Sequence, residues 1–446
     1  MTSTKQLHAR ASAIIAENDI DTVEVAFADT QGHLRGKRIP ASFFLKRTAE
    51  KGFAQADASF YWSWHCELPE LPHYNPAADI IDMIVLPDLA TLRPTPWREG
   101  AALCMADCVS EHGHEPIEMD PRHQLRRQVA RCQARGFDPV LATEIEFYLT
   151  DAETGQPVYD GVQCYSLQKG AELEHVVGHI RRVIEAYGIV VEASNTEYGP
   201  AQIEINFGHG SAIDACDGTV VFKSVVREIA RNHGLRATFM AKPFPGVSGN
   251  GLHLHHSLQK DGENVFALGG DDKPLGNAAM RHWVAGLATH AAQISLLANP
   301  TVNAYKRIED YSFAPTRVCW GLDNRNVAVR CIPQVGAASR VEYRGGAADA
   351  NPYLLAAAVL AAGMDGVERE LELPPEANAD AYADERLPLL PRSLRAAIDA
   401  WEATPFARET FGERFAADYA GLARYDASLY DAAITDWETQ RYREFA

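Results

Sequence analysis

Residues 140–149 form an apolar run that contains two acidic side chains, Glu144 and Glu146. A run of this length, bounded by turn-forming residues, predicts a buried strand. Because side chains alternate along a strand, both glutamates project from the same face. Two carboxylates that leave water together repel each other, so the pattern indicates a cation beside them. For this stretch alone, an edge strand with a solvated acidic face is the alternative.

Three later stretches repeat the alternation of polar and apolar side chains, which predicts three more strands with one polar face each. The polar positions are Gln202, Glu204 and Asn206 in residues 195–207, His253 and His255 in residues 241–257, and Arg340, Glu342 and Arg344 in residues 339–344. Glu197 precedes a tight turn just before the first of these strands. Taken alone, such a histidine pair is equally consistent with hydrogen-bonded histidines in the core and with metal ligands. The recurrence favours one cavity, which would hold Glu144, Glu146, Glu197, Glu204, His253 and Glu342.

Arginines gather in the last part of the same region. Arg307, Arg325 and Arg330 precede the two arginines of residues 339–344. Arginines that alternate with valines favour a pocket for phosphate or carboxylate, and a solvated face is the alternative. Oxygen ligands with one imidazole suit Mg2+ or Mn2+, and arginines facing such ions are typical of phosphoryl transfer. With neither a P-loop nor a dinucleotide-binding motif, the residues predict a metal-dependent enzyme that uses ATP.

Composition indicates which partners and which cellular compartment to expect for this chemistry. The chain has 446 residues and a formal net charge of -18, which argues against a nucleic-acid partner and an anionic membrane. It contains no signal-peptide pattern and no apolar run of about 18 residues. The eight cysteines are scattered and are expected to be reduced thiols of a cytoplasmic protein. Cys104 and Cys108 have a spacing that could provide half of a metal site.

Two domains are expected. Residues 1–112 combine strand patterns with a proline-rich loop and predict a small mixed domain. Asp120 and Pro121 then provide a cap and a first turn for a helix that ends near Gly136. A second helix is predicted from about Leu173 to Tyr187, followed by a strand over residues 189–193.

Together, the motifs resemble the glutamine synthetase family, in particular its bacterial type I branch and the synthetase-like paralogues. The resemblance extends over nearly the whole chain. The matching motifs are Asp29-Thr-Gln-Gly32, Thr143-Glu-Ile-Glu-Phe147, Glu197 with Gly199-Pro-Ala-Gln-Ile-Glu204, Lys242-Pro243 to His253-Leu-His255, Asn299-Pro-Thr-Val-Asn-Ala-Tyr-Lys-Arg307, Asn324-Arg325, Arg330, Arg340-Val-Glu-Tyr-Arg344 and Asn351-Pro-Tyr353.

This resemblance implies an α+β fold with an N-terminal β-grasp domain at residues 1–112. A catalytic domain of the glutamine synthetase type would follow at residues 113–446, built on a curved, polar-lined antiparallel sheet. The implied substrates are L-glutamate, ATP and an amine, with Mg2+ or Mn2+, two or three ions per active site. A homo-oligomer, usually a dodecamer of two hexameric rings, would complete each active site between neighbouring subunits.

The resemblance also implies a role for each site residue. The metal ligands would be Glu146, Glu197 and Glu204 on the amine side, and Glu144, His253 and Glu342 on the ATP side. Glutamate would be held by Arg307, Arg344 and the loop Gly249, Asn250 and Gly251. Phosphates would contact Arg325, Arg330 and Arg340, with His255 near the transferring phosphoryl group and Ser257 near the nucleotide.

Departures from the family pattern lie at the amine end. In ammonia-using members a glutamate precedes Ala-Pro in the flap, whereas here Phe313 precedes Ala314-Pro315. A phenyl ring in this place removes a charge that favours ammonium and supplies an apolar wall. The family's Phe-Asp-Gly-Ser-Ser stretch is absent, which leaves Asp57 as a candidate amine ligand, and Tyr165 falls near a tyrosine of the ammonium pocket.

These departures predict a γ-glutamyl-amide ligase for an organic primary amine. Ethanolamine or another short monoamine is favoured by Phe313, and a polyamine such as putrescine is the wider candidate. An ordinary ammonia-using glutamine synthetase is the first alternative, and a non-catalytic structural or regulatory assembly is the second. Tyr382 lies near a position that some members adenylylate, but its surroundings match poorly and favour an ordinary loop tyrosine.

Overall fold

The β-hairpin at the start of the chain organises the first sheet of this computed structural model, which describes residues 3–268, 275 and 277–445. Asp29 closes the turn, because its Oδ1 accepts hydrogen bonds from the backbone N–H groups of Gln31 and His33. The sheet has the order β2-β1-β6-β4-β3, with β5 beside β6. Its strands are β1 (Thr22–Ala28), β2 (Leu34–Pro40), β3 (Phe53–Ala56), β4 (Asp82–Pro87), β5 (Arg93–Pro94) and β6 (Ala101–Ser110).

A second, larger sheet follows and contains the predicted buried strand at its centre. Its order is β14-β15-β16-β12-β7-β9-β8, and all of these neighbours are antiparallel except β14 and β15. β10 and β11 pair with β7, and β13 pairs with β12. The strands are β7 (Asp138–Asp151), β8 (Val191–Thr196), β9 (Gln202–Phe207), β10 (Gly210–Ser211), β11 (Leu235–Thr238), β12 (Leu252–Lys260), β13 (Glu263–Asn264), β14 (Trp320–Leu322), β15 (Val329–Ile332) and β16 (Arg340–Tyr343).

Long helices pack against the two sheets. The helices of six or more residues are Thr4–Glu17, Pro121–Ala134, Leu167–Tyr187, Ala212–Asn232, Ala278–Ala298, Pro352–Glu368, Leu394–Glu402, Phe406–Phe411, Glu413–Ala432 and Asp436–Tyr442. Pro352–Glu368 is apolar on nearly all sides and lies in the core. Among the described residues, no helix is long and apolar enough to cross a membrane.

Helix caps explain where the sequence prediction succeeded and where it failed. Asp120 caps the helix Pro121–Ala134 as predicted, by accepting a hydrogen bond from the Arg122 N–H. The next helix begins at Leu167, not near residue 173, because Ser166 accepts from the Lys169 N–H and starts it earlier. The strand predicted at residues 189–193 is also wrong in its bounds, since β8 spans Val191–Thr196.

The mixed helix and sheet composition confirms the α+β class. One apolar core extends through both sheets and includes Val25 of β1 and Ile145 of β7. The expected domain boundary at residue 112 falls in the connection between β6 and the helix Pro121–Ala134. Because the two sheets share this core, the division into residues 1–112 and 113–446 stays a prediction.

A buried guanidinium connects the first sheet to the helices under the second. Arg122 is 1% exposed, and its Nη2 lies 2.8 Å from Asp217 Oδ2 while its Nη1 lies 2.6 Å from Asp107 Oδ1. Asp107 belongs to β6, and Asp217 belongs to the helix Ala212–Asn232. The Tyr353 hydroxyl also donates to Asp217, at 2.6 Å. The network therefore fixes four elements against one another, β6 and the helices Pro121–Ala134, Ala212–Asn232 and Pro352–Glu368.

Replacing Arg122 with methionine should destabilise the protein strongly. Removal of one partner leaves Asp217 buried without its counter-charge, which costs about 3–5 kcal/mol in free energy of unfolding. Arg38→Met is the matched control, because the Arg38 side chain is 68% exposed and pairs with Glu24 at the surface. That change should cost less than about 1 kcal/mol. Chemical denaturation at one protein concentration measures both, and equal losses would contradict the role of the buried network.

Candidate active site

The register of four neighbouring strands brings the predicted polar positions onto one surface. His253 of β12 lies opposite Glu144 of β7, and His255 lies opposite Glu342 of β16. On the other side of β7, Glu146 lies opposite Glu204 of β9. The alternate residues of β7 face the core, since Ile145 and Phe147 are completely buried. One continuous polar face therefore crosses the sheet.

Two carboxylates and two imidazoles meet at one end of this face. His253 Nδ1 lies 2.7 Å from Glu144 Oε1, and His255 Nε2 lies 3.4 Å from Glu144 Oε2. Glu342 is close to both, with its Oε1 3.6 Å from His253 Nδ1. Ligand atoms of Glu144, His255 and Glu342 lie within 4.8 Å of one another, a spacing that could hold a metal ion. His253 is therefore not the only imidazole available to a metal here.

Positive charge keeps these two carboxylates ionised. Burial alone would raise the pKa of Glu342, but the Arg344 guanidinium and the histidines outweigh it and lower the pKa to about 2. Burial likewise opposes ionisation of Glu144, yet hydrogen bonds from His253 and His255 hold its pKa well below the usual range. At this end of the cluster, side chains of the protein therefore supply the positive charge that stabilises the two carboxylates.

For the other three carboxylates burial outweighs the positive charge nearby, which for Glu146 comes from Arg307 and Arg344. Burial raises the pKa of Glu146, Glu197 and Glu204, and repulsion within the cluster adds to it, to about 7 for Glu197 and about 10 for Glu204. Few hydrogen-bond donors offset this rise in pKa. The Gly251 N–H donates to Glu146 at 2.5 Å, and the Asn195 side chain donates to Glu197 at 2.9 Å. Carboxylates crowded in this way suit a hard divalent cation such as Mg2+ or Mn2+. The donor set fits the metal that the sequence predicts.

Two buried arginines lie next to the carboxylates. Arg307 is 5% exposed, and its Nη1 has no hydrogen-bond partner among the described residues. Arg344 is 4% exposed, donates to Glu342, and its Nε donates to the Arg325 carbonyl at 3.1 Å. A buried guanidinium with a free donor is suited to bind a carboxylate of a ligand. The structure thus supports Arg307 as an anion-binding residue.

The glycine loop passes between Arg307 and the metal ligands. A Cβ at Gly249 would stand 2.5 Å from the Ala241 carbonyl oxygen, so that only glycine fits there. A Cβ at Gly251 would displace the ends of the His253 and Arg307 side chains, at 2.8 Å and 2.9 Å. Asn250 is fully buried, and its side chain donates to the Met240 carbonyl at 2.9 Å and accepts from Gln202 at 2.9 Å. The Asn250 side chain therefore holds the loop in place, and the Gly251 N–H joins the loop to Glu146.

The predicted phosphate-binding residues lie at the histidine end. Arg330 Nη1 donates to Glu342 at 2.9 Å, and Arg340 Nε donates to His255 Nδ1 at 3.3 Å. Ser257 follows on the same face of β12, two residues beyond His255. The Arg325 side chain is exposed. Arg330 and Arg340 give the histidine end a positive edge, whereas the Arg325 charge acts on Cys164 and Tyr165 near the carboxylate end.

An aromatic wall borders the carboxylate end. The Phe313 ring lies 5.2 Å from the Tyr198 ring, and the Tyr198 N–H donates to Glu197 at 3.2 Å. Tyr165 is 62% exposed, and its N–H donates to the Thr196 carbonyl at 2.9 Å, one residue before Glu197. Phe313 and Tyr165 are therefore both near the predicted metal ligands, as the resemblance implied.

Sequence reasoning missed two residues of this wall. No sequence pattern marks Tyr198 as a site residue, apart from its position directly after Glu197. Cys164 places its Sγ 4.0 Å from Glu197 Oε2, and burial with the nearby carboxylates raises the pKa of its thiol to about 11. The thiol is therefore protonated at neutral pH. Both residues could have been found only as neighbours of Glu197 and Tyr165.

One predicted residue is not brought to the site within the chain. Asp57 lies in the short helix Asp57–Phe60 beside the first sheet, where its Oδ1 accepts from the Ile81 N–H at 3.3 Å. Burial raises the pKa of its carboxyl. None of its hydrogen bonds involves the carboxylate cluster. A role for Asp57 in an active site would require a neighbouring subunit.

Comparison with known proteins identifies the family. Residues 118–442 match the family described as "Glutamine synthetase, catalytic domain". The chain is 37% identical to a gamma-glutamylethanolamide synthetase of Streptomyces coelicolor, over 96% of this chain and 94% of that protein. It is 33% identical to a glutamate–isopropylamine ligase of a Pseudomonas species, over 96% of both chains. It is also 31% identical to a glutamine synthetase of Thermotoga maritima, over 96% of this chain and 98% of that one.

Solved structures agree with the sequence matches. A structure titled "GmaS/ADP complex-Conformation 1" superposes with a TM-score of 0.87 at 29% identity, covering 97% of this chain and 99% of that chain. The chain belongs to the glutamine synthetase family. The resemblance, the fold type and the class of enzyme, a ligase for glutamate and an amine, are confirmed.

Without metal, the protein should lose thermal stability as the pH rises from 6 to 9. The folded-state pKa values of Glu197, about 7, and Glu204, about 10, lie above the ordinary value of 4.5. Bound protons therefore stabilise the fold at low pH, and this stabilisation is lost as the pH rises through those values. Melting temperatures measured in EDTA should fall, and added Mg2+ or Mn2+ should remove most of the decrease.

Glu204→Gln should flatten the pH dependence in EDTA, because it removes the carboxylate with the most raised pKa. Glu263→Gln is the control at the exposed Glu263 of β13, and it should leave the slope unchanged. A melting temperature that stays level or rises with pH in EDTA would show that the carboxylates are not crowded in solution.

Proposed function

We propose that the protein is an ATP-dependent ligase that joins the γ-carboxylate of L-glutamate to a short organic primary amine. The observation that carries this proposal is the contact between Phe313 and Tyr198 beside Glu197. An aromatic pair offers apolar surface to the carbon atoms of an amine and no counter-charge to ammonium. Ethanolamine or another short monoamine suits this wall better than a polyamine such as putrescine, whose second ammonium would need its own carboxylate.

Each group of residues would hold one part of the substrates. The free Nη1 of Arg307 and the backbone of Gly249 and Gly251 would bind glutamate, with Arg344 beside them. Arg330 and Arg340 of the positive edge, together with Arg325, would bind the ATP phosphates, with Ser257 near the nucleotide. Mg2+ or Mn2+, two or three ions per site, would be held by Glu144, Glu146, Glu197, Glu204, His253 and Glu342. These ions would neutralise the charge that develops on the phosphoryl oxygens.

The reaction would follow in two displacements. An oxygen of the glutamate γ-carboxylate attacks the γ-phosphorus of ATP, and ADP leaves. The amine nitrogen then attacks the carbonyl carbon of γ-glutamyl phosphate, the C–O bond to phosphate breaks, and the nitrogen loses a proton. His255 and Arg340 lie 3.3 Å apart and would stabilise the transferring phosphoryl group. The main contribution of the protein would be orientation of three substrates in one cavity.

The names of two relatives support an organic amine, since one is a gamma-glutamylethanolamide synthetase and the other a glutamate–isopropylamine ligase. A third relative is a glutamine synthetase, so ammonia is the second candidate for the amine. The replacement of a family glutamate by Phe313 favours the organic amine over ammonia.

Phosphate release from ATP across an amine panel tests the proposal. The wild-type protein, with saturating glutamate and Mg2+, should have a higher kcat/KM for ethanolamine or isopropylamine than for ammonium, putrescine or spermidine. Phe313→Glu should narrow the gap between the organic amine and ammonium by roughly tenfold, because a carboxylate favours the small cation and removes apolar contact.

Phe313→Leu is the control, since it keeps an apolar side chain and removes the aromatic ring. It should retain the preference for the organic amine with a moderately higher KM for that amine. Faster turnover of ammonium by the wild type would instead identify an ordinary glutamine synthetase. Absence of phosphate release with every amine would support a non-catalytic assembly.

We also propose that the chain works as a ring-shaped homo-oligomer, a dodecamer of two hexamers, in which Asp57 of one subunit borders the amine pocket of the next. The support is the family resemblance together with the position of Asp57 away from its own cluster. Mass photometry should give a species of twelve chains. In that assembly Asp57→Asn should raise the KM for the amine more than the KM for ATP, and a monomer with full activity would contradict the proposal.

A further inference from the structure

Three histidines meet where two helices come together, outside the carboxylate cluster. His175 and His179 lie one turn apart on the helix Leu167–Tyr187, and His233 caps the C-terminal end of the helix Ala212–Asn232. The His233 ring lies 5.7 Å from the His175 ring and 5.3 Å from the His179 ring, measured between centroids. None of the three has a part in the roles assigned above to glutamate, ATP, the amine or the predicted metal ions.

Packing of the helix Leu167–Tyr187 sets the direction of its two histidines. Val176 and Ile180, each one residue after a histidine, are completely buried, so His175 and His179 lie at the border of the buried face. Residues four apart on a helix are neighbours on its surface. Two histidines at this spacing can bind one zinc ion from a single helix face. His179 is half-buried, whereas His175 is exposed and can turn.

The second helix brings its imidazole within ligand distance of this pair. His179 Nδ1 lies 3.0 Å from His233 Nε2. Two nitrogens bound to one tetrahedral Zn2+ stand about 3.4 Å apart, because each Zn–N bond is about 2.1 Å long. The two rings therefore need to open only slightly to take an ion between these nitrogens. His175 would turn toward the ion and supply a third nitrogen.

The surroundings of His233 favour a metal ion. Burial and the neighbouring His179 and His175 lower the pKa of the His233 imidazole. The ring is therefore neutral near pH 7, which is the form that binds metal. Its backbone N–H donates to the Ala230 carbonyl at 3.0 Å, which places the residue at the end of its helix. The last carbonyls of a helix carry partial negative charge, and this charge attracts a cation.

We propose that His175, His179 and His233 form a binding site for a divalent transition-metal ion such as Zn2+, with water as the fourth ligand. Three imidazoles suit Zn2+, Ni2+ or Cu2+, whereas the oxygen-rich carboxylate cluster suits Mg2+ or Mn2+. The two sites would therefore hold different ions at the same time. Because the ligands come from two helices, a bound ion would join the helix Leu167–Tyr187 to the end of the helix Ala212–Asn232.

Anomalous diffraction at the zinc absorption edge locates the ion directly. Crystals of the full-length protein without an affinity tag are soaked with ZnCl2 in an excess of MgCl2. A peak about 2.1 Å from the ring nitrogens of His179 and His233 is expected. Peaks confined to the carboxylate cluster would overturn the proposal and would leave the two histidines as a hydrogen-bonded contact between helices.

Calorimetric titration with ZnCl2 in excess MgCl2 measures the affinity in solution. His179→Gln and His233→Gln should each weaken zinc binding at this site by roughly tenfold or more, because each removes a ligand. His112→Gln is the matched control, since the His112 side chain is 95% exposed in the turn after β6, and it should titrate like the wild type. Melting temperatures measured without zinc confirm that the variants fold.

Glu204→Gln separates the histidine site from the carboxylate cluster. It should leave zinc binding at the histidines unchanged, because Glu204 is not one of their ligands. Loss of zinc binding in Glu204→Gln, with retention in His179→Gln and His233→Gln, would place the zinc ion in the active site and overturn the proposal. Neither measurement depends on ligase activity, so failure of this proposal is distinct from failure of the proposed function.

Discussion

The repulsion between buried carboxylates is the constraint on which the rest of the active site depends. Glu144 and Glu342 are stabilised as anions by histidines and Arg344, whereas Glu146, Glu197 and Glu204 are not. The protein therefore supplies counter-charge at one end of the polar face, where a metal ion could also be held, whereas the crowded carboxylates at the other end depend on a cation for their neutralisation. Under the proposed function, this asymmetry would separate the ATP phosphates, which suit the positive edge, from the amine, which suits the acidic end.

The polar face of the sheet could be predicted from alternation alone. Glu144 and Glu146 share a face because the side-chain period of a strand is two, and the same rule aligns His253 with His255. Alternation does not determine which residues stand opposite each other on neighbouring strands. A register shift of one residue between β12 and β7 would have moved His253 away from Glu144. Only the family motifs could indicate that these residues meet.

Loop conformations and helix caps are the features that the sequence predicted least well. Cys164 and Tyr165 lie near Glu197 because of a loop in which Tyr165 has a φ of +57°. No local sequence pattern predicts this conformation. The helix after this loop starts at Leu167 because Ser166 caps it. Its first turns were not predicted, since the apolar periodicity is clear only from Leu173 onward. Asp57 illustrates a different limit, because its contacts within one chain do not include the carboxylate cluster, and its candidate role as an amine ligand stays a prediction.

The conformation of Phe313 bears on how an amine would be selected. Phe313 has a φ of +62°, which costs a bulky residue on the order of 1–3 kcal/mol and persists only where its surroundings enforce it. Two contacts do so: the ring packs against Tyr198, and the next carbonyl, of Ala314, accepts from the Tyr382 hydroxyl at 3.2 Å. The ring cannot turn away without losing the Tyr198 contact, and the backbone beside it cannot move without losing the Tyr382 contact. An amine would therefore meet a wall of fixed shape, and selection would depend on the fit of its carbon chain against that wall.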